Sequence, residues 1–272
     1  MNDREQKANE LLLEIAQCSI AQRHLGGSSM SHPCSKILGV QSTADWTRFQ
    51  IPEPWSGDIV RAPILFLSSN PSISSYEAYP TGFQDANSLR SYFSERFNGF
   101  WIRNGVYARN ADTAQADYGD AVRYWASMQR RATELWGRTA TPGKDYALSE
   151  IVHCKSRNEQ GVREALSFCA ERYLERLLQC SGAVVIVLVG RKVLGYWNEL
   201  SALRSSTGLS ALPRVPDWGG TSLQPLEGLN RYFVYLGHPS GPEKKKFCDW
   251  VSHDKLQEIR SNLVKCGIVS SI

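Results

Sequence analysis

Apolar positions recur along this chain with two different periods. Helical spacing over residues 5 to 17 predicts a helix, and the same spacing returns over Val162 to Cys180, where Leu166, Cys169, Tyr173, Leu174 and Leu177 fall on one stripe. Shorter apolar runs predict four strands, at Pro63 to Ser68 (PILFLS), Tyr146 to Val152, Ala183 to Val189 and Tyr232 to Leu236. The third is apolar almost throughout and is followed by Gly190, the pattern of a central parallel strand covered on both faces. Residues 85 to 137 read as mostly helical and aromatic, with Tyr92, Phe93, Phe97, Trp101, Tyr124, Trp125 and Trp136 at spacings that helices bury. Pro52 to Gly57 (PEPWSG) is a turn-rich lead into the first strand. Strands separated by helices predict an α/β fold of three layers, with a central, mostly parallel four-stranded sheet flanked by helices. A ligand site is then expected beyond the carboxyl ends of the strands.

Composition adds bounds to this picture. The chain has 272 residues, 42% of them hydrophobic, enough for one substantial core. We expect one domain over 1–272, with an N-terminal helical extension (about 1–50) and a helical insertion (about 84–140). There is no internal repeat. No apolar run approaches the roughly 20 residues that cross a bilayer, so the expected protein is cytoplasmic, without a membrane partner, and monomeric. A net charge of +4 does not by itself point to nucleic acid. The lysine run Lys244, Lys245 and Lys246, and the arginines Arg90, Arg96, Arg103 and Arg109 among aromatic residues, would suit a phosphate backbone. Seven scattered cysteines with no close pair predict reduced thiols.

Polar chemistry gathers at three predicted strand ends. The first strand exits into Ser68-Ser69-Asn70-Pro71-Ser72, the second carries Ser149-Glu150-Ile151-Val152-His153-Cys154, and the fourth exits into Gly237-His238-Pro239-Ser240-Gly241-Pro242. Each alone is a common turn or cap. In this order and spacing, over roughly residues 60 to 250, they resemble the uracil-DNA glycosylase superfamily, whose members flip a base out of DNA and hydrolyse its N-glycosidic bond. The first loop resembles the Gly-x-Asn-Pro-Gly motif of the mismatch-specific and single-strand-selective branches, with Ser68 and Ser72 in place of both glycines. The resemblance implies that Asn70 orients the attacking water, with Ser69, Pro71 and Ser72 beside the base. It also implies that Phe83, in Tyr79-Pro80-Thr81-Gly82-Phe83, stacks on the flipped base. His238 would stabilise the charge on the departing pyrimidine, with Ser240 in the same loop. Pro239, Gly241 and Pro242 would enter the minor groove, Pro242 as a wedge, while Lys244, Lys245 and Lys246 contact phosphates.

The middle loop resembles the iron–sulfur branch of the superfamily, in which a Thr-Asn-Val-Val-Lys-Cys stretch supplies an asparagine that reads the uracil edge. Glu150 stands at that place here, and a slip of one residue would put Ser149 there instead. A protonated carboxyl matches the N3 acceptor and N4 donor of cytosine and can donate a proton to a poorer leaving group, although it can also pair with uracil. Cys154 and Cys169 match the later two cysteines of that branch, and Cys18 and Cys34 would complete the four thiolates of a [4Fe-4S] cluster. The branch spaces its first two cysteines much more closely, however, so no cofactor is assigned. The reading that follows is a monofunctional DNA glycosylase acting on a flipped pyrimidine such as a modified cytosine, which fits a defence role against modified phage DNA. The alternatives are a non-catalytic module of the same fold that binds DNA or damaged bases, and an ordinary uracil-DNA glycosylase of base-excision repair.

Overall fold

The structure is a computed structural model that describes residues 2–27, 31–41, 47–74, 76–97, 99, 101–109, 117–207, 215, 221–226 and 229–269. The N-terminal segment forms helices α1 (Asp3–Ala16), α2 (Ser19–Leu25) and α3 (Ser35–Gly39). Asn2 and Glu5 close a capping box at the start of α1, and Ala8, Leu11, Leu12 and Ile15 form its buried stripe. The chain then passes through β1 (Trp55–Ser56) and β2 (Ile64–Ser68) into the insertion. This comprises α4 (Ala86–Glu95), β3 (Ile102–Arg103), β4 (Val106–Ala108), β5 (Tyr118–Ala121) and α5 (Arg123–Trp136). The remainder alternates: β6 (Ala147–Glu150), α6 (Val162–Cys180), β7 (Val185–Val189), α7 (Arg191–Thr207), β8 (Thr221–Leu226), β9 (Leu229–Leu236) and α8 (His253–Val269).

The four expected strands are β2, β6, β7 and β9, which run parallel to one another. The sheet nevertheless has six strands, in the order β1-β6-β2-β7-β9-β8. Its two edges are antiparallel: β1 pairs with β6 and β8 with β9. Both escape a periodicity argument, β1 because it is two residues long and β8 because Gln224 and Pro225 break its apolar pattern. The sheet divides the core into two clusters. Ile186 and Leu188 of β7 pack with residues of α1, α4, α6 and α7. Val185, Val187 and Val189 pack with residues of α5 and α8. Alternate residues of one strand thus face opposite helical layers, as covered parallel strands require.

The insertion differs from expectation. Its described residues 102–108 and 118–121 form a three-stranded antiparallel sheet, β3-β4-β5, between α4 and α5, not helix. Arg103 pairs with Val106 around Asn104-Gly105, which hold φ of 51° and 78°. Two central residues with positive φ make the tight hairpin turn that Asn-Gly favours, and aromatic spacing masks that signal. Residues 98, 100 and 110–116 of this stretch lie outside the described residues. No helix among the described residues is long and apolar enough to cross a membrane.

Candidate active site

A cavity of about 300 Å³ opens beyond the carboxyl ends of β2, β6 and β9, where parallel sheets hold their ligands. It lies at the lower bound of ligand pockets, with room for one substituted ring. Of the residues expected in the site, Ser69, Asn70, Pro71, Ser72, Glu150, His238 and Ser240 line it. Three separate loops therefore supply its polar groups. β2 and β6 pair in register at Ser68 and Glu150, which sets the two loops side by side.

Two expected residues are elsewhere. Ser149 points away from the cavity, because neighbours on a strand alternate, and its hydroxyl donates to the Pro54 carbonyl at 2.8 Å. Phe83 does not line the cavity and packs on the larger core cluster. Its segment is drawn toward residues 49–51, since the Gly82 N–H donates to Phe49 O at 2.9 Å and the Tyr79 hydroxyl to Ile51 O at 3.2 Å. Tyr107, Tyr124 and Trp125 of the insertion provide the aromatic wall instead. On the His238 loop, Pro239 and Gly241 are half-buried, whereas Pro242 and Lys244, Lys245 and Lys246 are exposed outside the cavity.

The Asn70 Nδ2 donates to the Pro71 carbonyl at 2.9 Å, which leaves Oδ1 as the atom able to accept from a water. His238 Nδ1 accepts from the Ser240 N–H at 3.2 Å, so the neutral ring carries its proton on Nε2 and presents a donor there. Burial holds its pKa below the ordinary 6.5. The ring stacks on Tyr124 at 6.0 Å between centroids, and the Tyr124 hydroxyl shares a hydrogen bond with Ser68 Oγ. Behind His238, Gly190 has φ +91°, and a Cβ there would stand 3.1 Å from His238 Cβ.

Four lining residues have no motif to announce them: Glu53, Arg96, Lys155 and Tyr124. The one signal for Glu53 is a charge among apolar neighbours, Ile51-Pro52-Glu53-Pro54-Trp55, while the sequence reads Tyr124 only as a buried aromatic. Arg96, expected to suit a phosphate backbone, is 1% exposed and cannot reach one, because it binds Glu53, Ser56 and Glu77 together inside the protein. Lys155 Nζ lies 3.3 Å from Glu53 Oε2 and donates to the Ser72 carbonyl at 3.1 Å. Burial raises the Glu53 pKa, but Arg96 and Lys155 outweigh it and bring the carboxyl to about 2. Glu150 goes the other way: burial, and then the charge of Glu53, push it well above the carboxylate range. Its Oε2 is buried with no hydrogen-bond partner.

Cys18, Cys34, Cys154 and Cys169 lie buried in the larger core cluster. Burial and then Cys18, Cys169 and Cys34 push the Cys154 thiol up. Among the described residues no group of three or more His, Cys, Asp or Glu side chains could hold a metal ion.

No protein-family model matches the chain, and no curated protein matches it.

Proposed function

We propose that this protein is a monofunctional DNA glycosylase that hydrolyses the N-glycosidic bond of a flipped, cytosine-derived pyrimidine and leaves an abasic site. The observation that carries the reading is the meeting of Asn70, Glu150 and His238 from three strand ends in one small cavity, with a buried Glu150 oxygen left without a partner. An unpaired buried polar atom costs about 1–3 kcal/mol, so it is best explained by a ligand that completes it. The flipped base rests against the aromatic wall of Tyr107, Tyr124 and Trp125, which offsets part of the unstacking cost.

The neutral Glu150 carboxyl donates its O–H to the ring N3 and accepts from the exocyclic amine. As the bond from the sugar C1′ to N1 breaks, its electron pair passes into the ring and the proton from Glu150 keeps the departing base neutral. His238 Nε2–H donates to the exocyclic O2 of the base in the same transition state. A water held by Asn70 Oδ1 bonds to C1′ and loses a proton, which restores Glu150. The exposed lysines 244–246 lie next along the His238 loop and would hold the DNA backbone.

Alkali-revealed strand cleavage tests this on DNA carrying uracil, cytosine, hydroxymethylcytosine or glucosylated cytosine. Cleavage confined to a cytosine derivative, and lowered at least 100-fold by Asn70→Ala and by Glu150→Gln, is the expected result. Cleavage of uracil would keep the glycosylase and remove the base assignment. Silence on every substrate would favour the binding module, which the serines at 68 and 72 already suit: a Cβ narrows the approach that glycine leaves open.

A further inference from the structure

The two buried glutamates of the cavity meet different neighbours. Arg96 and Lys155 are the buried cations of its wall, and both contact Glu53. Arg96 also binds Glu77, while Lys155 donates to Ser72 O at 3.1 Å and sits 3.8 Å above the Tyr79 ring. Neither cation bonds Glu150, whose Oε2 is buried and unpartnered at the cavity. Two cations thus face two carboxylates, and a third negative charge at Glu150 would have no counterion in a buried site, a costly arrangement.

We propose that Glu53 is a positioning residue: by binding both buried cations it leaves Glu150 without a counterion, so that Glu150 faces the cavity as a neutral carboxyl able to donate and to accept. The inference rests on the glycosylase reading for the ring that Glu150 meets, and on the contacts above for the state of the carboxyl. The charged and titratable groups facing Glu150 are Glu53, Glu77, Arg96, Tyr124, Lys155 and His238. Burial keeps the Tyr124 hydroxyl and the His238 ring neutral at pH 7, so the balance between Glu53 and the two cations sets the charge at Glu150.

Infrared spectroscopy of the carboxylic-acid C=O stretch reads this state directly in the full chain. At pH 7 the parent shows a band that Glu150→Gln removes. In Glu53→Gln the cations are released toward Glu150, and the midpoint at which the band disappears falls by at least one pH unit. Lys155→Met removes a cation, moves the midpoint the opposite way, and serves where Glu53→Gln fails to fold. A parent without the Glu150 band, or midpoints that stay put in both variants, would overturn the proposal. Opposite shifts together with an inactive strand-cleavage assay would uphold the role of Glu53 and sink the glycosylase reading, so the two failures are distinct.

Discussion

At the scale of single residues, the candidate site is a set of side chains whose states are dictated by their immediate partners. Glu53 and Glu150 share a residue type and a buried setting. Arg96 and Lys155 outweigh the burial of Glu53 and lower its pKa, whereas burial and the charge of Glu53 outweigh the same two cations at Glu150 and raise it. Asn70 and His238 were legible in the chain because each sits in a short polar loop after an apolar run, whereas Glu150, the last residue of β6, stood out only through the resemblance of its segment. Arg96 and Lys155 were not, because a lone charge looks like an exposed position until its partners from distant segments are brought to it. Gly190 carries a prediction at this scale. Its φ of +91° strains any side chain, and a Cβ 3.1 Å from His238 Cβ requires the histidine to give way. Gly190→Ala is expected to cost about 1–2 kcal/mol of stability and to displace the His238 ring. Single-turnover cleavage should fall at least tenfold with substrate affinity nearly unchanged; unaltered turnover would show that the ring has freedom the geometry denies it.

At the scale of elements, the long helices and central strands follow their apolar periods closely. Helix α6 occupies Val162–Cys180 as its stripe predicts, and β7 lies inside the run at 183–189. The insertion departs because its signal is local turn chemistry and not periodicity. Asn104-Gly105 closes the β3-β4 hairpin, β4 pairs with β5, and β4 carries Tyr107 into the cavity wall. Replacing Gly105 by valine puts a β-branched residue at positive φ and is expected to cost about 1–2 kcal/mol. If the meander forms the aromatic wall, Gly105→Val should also weaken binding of an abasic-free substrate duplex several-fold in a filter or anisotropy titration. A variant that loses stability but binds as the parent does would separate the hairpin from the site.

At the scale of the whole molecule, the sheet joins a mildly basic chain into two apolar layers, and the buried charges make its stability depend on pH. His153 is buried, its ring facing the Glu53 carbonyl at 2.8 Å, and burial lowers its pKa from 6.5 to about 4. Its stabilising contribution is complete above pH 6.5 and is lost as pH falls through about 4. Glu53, lowered from 4.5 to about 2, contributes above pH 4.5 and loses that contribution as pH falls through about 2. Glu150, raised well above the carboxylate range, gains stability over the same interval, so the parent must be compared with His153→Gln: in denaturant unfolding the stability of the parent relative to that variant should fall from about pH 6.5 down to about pH 4. A difference between the two proteins that stays constant from pH 7 to pH 4 would contradict a neutral buried His153. The apolar runs and their separations are enough to specify the α/β class, the four parallel strands and the polar loops at their ends, because burying an apolar face needs only the local period to be right. The distribution of charge within the cavity, the aromatic wall in place of Phe83, and the edge strands β1 and β8 depend on which distant segments come into contact. Those contacts, such as Glu53 with Arg96 and Lys155, are non-local electrostatic and packing events that no window along the chain contains.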